Sequence, residues 1–201
     1  MQNKTQAPIA QIILASQSPY RKELLGRIVS PFISLAPDVD EEILKGQITN
    51  PKLLAQKLAA LKCQDIFSHH QDSIVIGSDQ VLEFEDVTLG KPGSHERALQ
   101  QLQILQGKTH RLLTAVHIMA GTEVIHFMNE TSLKMKSFSR PQLEQYLLAD
   151  KPYDCAGSYK IESKGIGLFE NIDCSDFTAI VGLPLIELSK ALASLGWKEF
   201  T

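Results

Sequence analysis

What this chain lacks narrows it first. No segment approaches the roughly 20 consecutive apolar residues that span a bilayer. The N-terminal Met1-Gln2-Asn3-Lys4 opens without the apolar core of a signal peptide. There is no basic excess either: 20 Lys and Arg stand against 23 Asp and Glu, for a net charge of -3 and a pI near 6.1. Nucleic acid and membrane are therefore not expected partners, and any anion must be bound by a local cluster. The three cysteines, Cys63, Cys155 and Cys174, include no C-x-x-C pair, which points to a reduced, cytoplasmic chain rather than a disulfide framework or a zinc site. Also missing are G-x-x-x-x-G-K-[ST], G-x-G-x-x-G after a strand, and G-x-S-x-G, so a P-loop kinase, a dinucleotide oxidoreductase and an α/β-hydrolase have no support. The six histidines never form H-E-x-x-H, and His110, His117 and His126 fall on predicted strands, where structural roles are expected.

What is present is enough apolar material for a core, 43% of 201 residues, and a length that fits a single domain over 1–201. Predicted strands and helices alternate, which indicates an α/β fold. Ile12 to Ala15 reads as a strand that turns into a helix capped by Ser18 and opened by Pro19. Phe32 to Ala36 reads as a second strand, followed by an acidic loop from Pro37 to Glu42. Asn50 and Pro51 start a helix running to about Phe67 with Leu54, Leu58 and Leu61 as its apolar stripe. Ser73 to Gly77 reads as a buried strand ending at Ser78-Asp79-Gln80, with a hairpin after it through Val81 to Leu89. A helix capped by Ser94 reaches Gln106. Two long strands, Thr109 to Ala120 and Glu123 to Lys136, form a hairpin. A capping box at Ser139-Arg140-Pro141-Gln142 starts a helix to about Ala149, and a last helix spans Leu185 to Leu195.

One segment breaks a rule of helix design. Arg21 and Lys22 lie in the first turn after Ser18, where the macrodipole disfavours cations by roughly 0.3–1 kcal/mol each. An anion held by the free N–H groups and by the Ser16 and Ser18 hydroxyls would remove that penalty, so a phosphate site is expected. Asp79, at the end of an apolar strand, is where α/β proteins place ligand chemistry. Glu41 could share a divalent cation with it, since magnesium is usually held by one or two carboxylates plus substrate phosphates. Lys62 and Lys91 would add cations against the phosphates, the division of labour that phosphoryl transfer needs.

The run Leu14-Ala15-Ser16-Gln17-Ser18-Pro19-Tyr20-Arg21-Lys22-Glu23-Leu24-Leu25 carries more than that chemistry. With Val39-Asp40-Glu41, Ile76-Gly77-Ser78-Asp79-Gln80, Gly90-Lys91-Pro92, Gly107-Lys108-Thr109-His110 and Val181-Gly182-Leu183-Pro184, it resembles the Maf family of nucleotide pyrophosphatases. The resemblance covers nearly the whole chain in the family order. It implies an inosine-triphosphatase-like fold, with a central mixed sheet flanked by helices and two lobes around a cleft. A homodimer is implied too, and so is metal-dependent (Mg2+ or Mn2+) hydrolysis of a nucleoside triphosphate to monophosphate and pyrophosphate. It implies Asp79 as proton acceptor, and Ser18, Arg21, Glu41, Lys62 and Lys91 at the phosphate and metal positions. Lys22 departs from the pattern, standing where a second arginine is common, which loses bidentate phosphate contact.

Three positions that differ between branches of the family fall on Tyr20, Gln80 and Glu162. An aromatic residue, a glutamine and a glutamate resemble the 7-methyl-GTP branch rather than the dTTP and UTP branch. A carboxylate accepts from guanine N1–H and its amino group, and an aromatic face favours a cationic methylated base. A dTTP or UTP pyrophosphatase, and a non-catalytic nucleotide-binding regulator of septum formation, stay open as alternatives. Gly165 to Phe169 would either line the base pocket or pack as a strand.

Overall fold

A computed structural model describes residues 11–198; the Met1 to Lys4 segment lies outside them. It is a seven-stranded mixed sheet with helices on both faces. Strands β1 (Ile12–Ala15), β2 (Ile33–Leu35), β3 (Ile74–Phe84), β5 (Thr109–Ala120), β6 (Glu123–Met135) and β7 (Phe169–Asp173) lie in the order β2-β1-β3-β5-β6-β7, and β4 (Val87–Leu89) pairs with β3. β1 is parallel to β2 and β3, and every other pairing is antiparallel. The helices are α1 (Pro19–Leu25), α2 (Glu41–Gln47), α3 (Pro51–Phe67), α4 (His95–Leu105), α5 (Arg140–Asp150), α6 (Phe177–Val181) and α7 (Leu185–Ser194). No described helix is long and apolar enough to cross a membrane.

Strand period two sorts β3 between two faces. On one, Ile74 and Ile76 join Val116, Ile118, α1 and α7 in one core, while Leu82 and Phe84 join Leu112, Leu133, α4 and α5 in another. These are two lobes strung on shared strands, with Ser78 and Gln80 between them. On the other face Val75 and Val81 pack under α3. Gly77 makes that packing possible, because a Cβ there would strike the Ala59 carbonyl and lie 2.7 Å from the Cys63 backbone nitrogen. The buried line of α3 is Leu54, Leu58 and Lys62, one turn apart each; Leu61 is only half-buried. An ammonium therefore sits on the helix stripe where a leucine was expected.

The strand through Asp79 is longer than the sequence suggests. β3 does not end at Ser78-Asp79-Gln80 but continues to Phe84, and the hairpin is formed by its second half with β4. Its edge is nonetheless broken: residues 74–77 pair with β1 and 82–84 with β4. Among the described residues no strand pairs with 78–81 on that side, and the cleft opens there. The acidic loop ends in helix α2, capped by the Asp40 carboxylate, which accepts from the Glu42 and Ile43 N–H groups. α2 buries no residue, so no apolar stripe marks it. Gly165 to Leu168 is a 3-10 turn and β7 begins at Phe169.

Candidate active site

A cavity of about 770 Å³ lies over the unpaired stretch of β3, walled by the β1–α1 turn, α2, α3, β4, α6 and the loop that carries Asp154 to Glu162. Ser16, Ser18, Tyr20, Arg21, Glu41, Lys62, Asp79, Gln80, Lys91 and Glu162 all line it. Lys22 does not; it is exposed on α1, so the expected second cation of the first turn faces solvent.

The close approach of α3 to Gly77 delivers Lys62 to the adjacent turn of chemistry. Its ammonium, nearly buried, sits 2.6 Å from Asp79 Oδ1 and 2.7 Å from Glu41 Oε1. Two like charges, one buried on Asp79 and one half-exposed on Glu41, are thus held together by one opposite charge. At Glu41, burial opposes ionisation, but Lys62 and Lys45 outweigh it and hold the carboxyl below its usual range. Lys45 contributes from 3.5 Å.

Arg21 is fixed by the far end of α6. Its Nε donates to the Gly182 carbonyl at 3.0 Å, and Ser78 Oγ donates to the same oxygen at 3.2 Å. Gly182 has φ of +126°, a conformation open chiefly to glycine, which turns that carbonyl back toward the strand. Burial lowers the Arg21 pKa while Asp79 and Glu41 act the other way, and a guanidinium keeps its charge throughout. Ser18 Oγ caps α1 by accepting from Arg21 N at 3.4 Å, and Ser16 Oγ accepts from Ser18 N at 3.1 Å. Lys91 is exposed on the opposite rim. Arg21, Lys45, Lys62 and Lys91 share the cavity lining with Glu41, Glu42 and Asp79, so the anion attraction is local in a chain of net negative charge.

Gln80 anchors α6 from below. Its amide nitrogen donates to the Ala179 and Ile180 carbonyls and to Thr114 Oγ1, at 2.8, 3.0 and 3.0 Å. The Ala179 carbonyl also accepts from Gly182 N at 3.1 Å and from Thr114 Oγ1 at 2.9 Å, so Gln80 and Thr114 together tie the end of α6 to the sheet. Tyr20 reaches across the opening, its hydroxyl 3.5 Å from Asp154 Oδ2 and 3.9 Å from Cys155 Sγ. Asp154, Cys155 and Thr114 were not expected from the sequence. The first two follow a predicted helix in a stretch without periodicity, and only the fold brings them to Tyr20.

The donor set fits a hard divalent cation. Glu41 and Asp79 offer oxygen ligands already gathered about one positive charge. Among the described residues no group of three or more His, Cys, Asp or Glu side chains converges, so such an ion would complete its shell with substrate oxygens and water.

Residues 11–195 match the family model described as Maf-like protein. A protein of Bdellovibrio bacteriovorus named 7-methyl-GTP pyrophosphatase is 49% identical over 92% of this chain and 97% of its own. One of the same name from Xanthomonas axonopodis pv. citri is 41% identical over 94% and 98%. Among solved structures, the Staphylococcus aureus Ham1 protein superposes with a TM-score of 0.52 at 16% identity, covering 93% of this chain and all of that one. That likeness concerns the fold alone, a mixed sheet flanked by helices.

Proposed function

This chain belongs to the Maf family, and from that premise we propose that it is a nucleoside triphosphate pyrophosphatase whose preferred substrate is 7-methyl-GTP. The observation that carries the reading is the Lys62 ammonium held between Glu41 and Asp79 beside the anchored Arg21, in a cavity large enough for a nucleotide. Arg21 and Lys91 neutralise the triphosphate oxygens, and Ser16 and Ser18 offer hydroxyls on the same wall. Asp79 takes a proton from a water whose oxygen bonds to the α-phosphorus. The P–O bond between the α- and β-phosphates breaks, and pyrophosphate leaves with its negative charge balanced by Arg21, Lys62 and Lys91. A magnesium or manganese ion held by Glu41 and Asp79 would supply Lewis acidity at the phosphates. A cytoplasmic setting and a homodimer belong to the same proposal.

Pyrophosphate release decides it. Incubated with magnesium and, separately, 7-methyl-GTP, GTP, UTP, dTTP and CTP, the protein should release pyrophosphate fastest from 7-methyl-GTP and none in excess chelator. Preference for UTP or dTTP overturns the substrate, and no release from any nucleotide overturns the enzyme.

A further inference from the structure

The cavity wall carries acids besides Glu41, Glu42 and Asp79. Tyr20, Asp154 and Glu162 also line it, both acids exposed. Asp154 is not a loose surface acid. Its turn is pinned to the α4 lobe, where Gly93 N donates to the Tyr153 carbonyl at 2.9 Å, the Tyr153 hydroxyl meets His95 Nδ1 at 3.0 Å, and Ser158 Oγ donates to Gln101 at 2.6 Å. One carboxylate oxygen faces Tyr20 from the other lobe at 3.5 Å. The other faces Cys155 Sγ at 3.5 Å and the Lys160 ammonium at 4.0 Å.

Resting on the nucleotide reading above, we propose that Asp154 is a specificity-determining residue, whose carboxylate makes the base end of the cavity select a positively charged nucleobase, an N7-alkylated purine, over its neutral counterpart. Glu162 would accept from the N1–H and amino group of guanine with or without the methyl group, so the count of its hydrogen bonds is the same for both bases. Tyr20 supplies a cation–π face, a modest preference at a half-exposed site. What separates the methylated base from the plain one is a full charge, and a fixed carboxylate at the rim responds to charge. Burial is the main cause of the raised Tyr20 phenol pKa, and the charges of Asp154 and Glu162 are among the smaller causes that add to it.

The test compares kcat/KM for 7-methyl-GTP and GTP in the wild type and in Asp154→Asn, which keeps the shape of the side chain and its acceptor toward Tyr20. The ratio of the two substrates should fall by about 3- to 10-fold, the size expected for removing one partly solvated charge near the ligand. The change should sit in KM for 7-methyl-GTP. Lys160→Gln should move the ratio the other way by unmasking the carboxylate, and added salt should compress the wild-type ratio but not that of Asp154→Asn. Dissociation constants for the two nucleotides in chelator, measured by calorimetry, provide the same ratio without turnover. A ratio unchanged within about twofold, or an equal loss for both substrates, overturns the proposal. A wild type that binds both nucleotides with the predicted ratio yet releases no pyrophosphate overturns the enzymatic reading and leaves the assignment of Asp154 standing.

Discussion

At the scale of single residues the site depends on charges that are shared. Asp79→Asn removes the proposed base yet leaves Lys62 its 2.7 Å partner Glu41, so the buried ammonium is not stranded. Turnover should drop by at least about 100-fold, the usual worth of a positioned base, while the thermal midpoint moves only a few degrees. Near wild-type kcat in that variant would exclude Asp79 as the base. His110 makes a different kind of prediction. It is buried against Phe169 and Tyr159, with Nε2 2.9 Å from the Tyr159 hydroxyl and Nδ1 without a partner among the described residues. Burial pulls its pKa down from 6.5 to about 4, against an opposing pull from Glu83. The folded state therefore favours the neutral ring. The stability this contributes is present in full above pH 6.5 and is lost as pH falls toward 4, by up to about 3 kcal/mol. Urea unfolding from pH 7 to 4 should show that slope, and His110→Gln should flatten it even though the variant starts out less stable.

At the scale of elements, the helices were legible wherever local chemistry starts them. Ser18, Asn50 and Ser94 cap α1, α3 and α4 by accepting from N–H groups three residues on, and the Ser139–Gln142 box opens α5. The last helix and the β5–β6 hairpin lie within a residue or so of where periodicity and the Gly121-Thr122 turn place them. Elements held by distant partners were not legible. α2 has a capping aspartate but no apolar face, and five-residue α6 depends on Gln80, Thr114 and Ser78 from the sheet. The same reason hid the length of β3. Asp79 and Gln80 looked like the polar end of a strand because Lys62 and the α6 carbonyls, which partner them mid-strand, lie 17 and about 100 residues away. The site residues themselves were visible as a motif, but the α3–β3 approach that joins them was not. Gly77→Ala tests that approach. The added methyl meets backbone on α3 rather than a movable side-chain tip. The helix must retreat, at about 1–3 kcal/mol, and carry Lys62 away from Asp79. Activity should fall by more than the stability loss accounts for at 25 °C, with the fraction folded checked by circular dichroism.

At the scale of the molecule, the question is whether the two lobes are independent. Each has its own apolar core, and the cavity lies between them, bridged by Tyr20 to Asp154, while Arg21 and Ser78 hold Gly182 where α6 leads into α7. That bridge alone would permit the lobes to melt separately. The strands argue otherwise, since β3 and β5 each contribute buried residues to both cores and are paired to each other along ten registers. Losing one core would leave half of each strand unpaired and exposed, so unfolding should be a single transition. The aromatic residues report the two sides separately. The single tryptophan, Trp197, packs on the α1/α7 core, and Tyr146, Tyr153 and Tyr159 pack on or within the other. Tryptophan fluorescence and tyrosine near-ultraviolet dichroism should therefore give superimposable urea curves. A non-hydrolysable nucleoside triphosphate at about 100 times its Kd should add about 2.7 kcal/mol to both. Two midpoints that separate, with the ligand shifting only one, would mean that the cleft is a hinge between domains rather than a gap in one cooperative sheet.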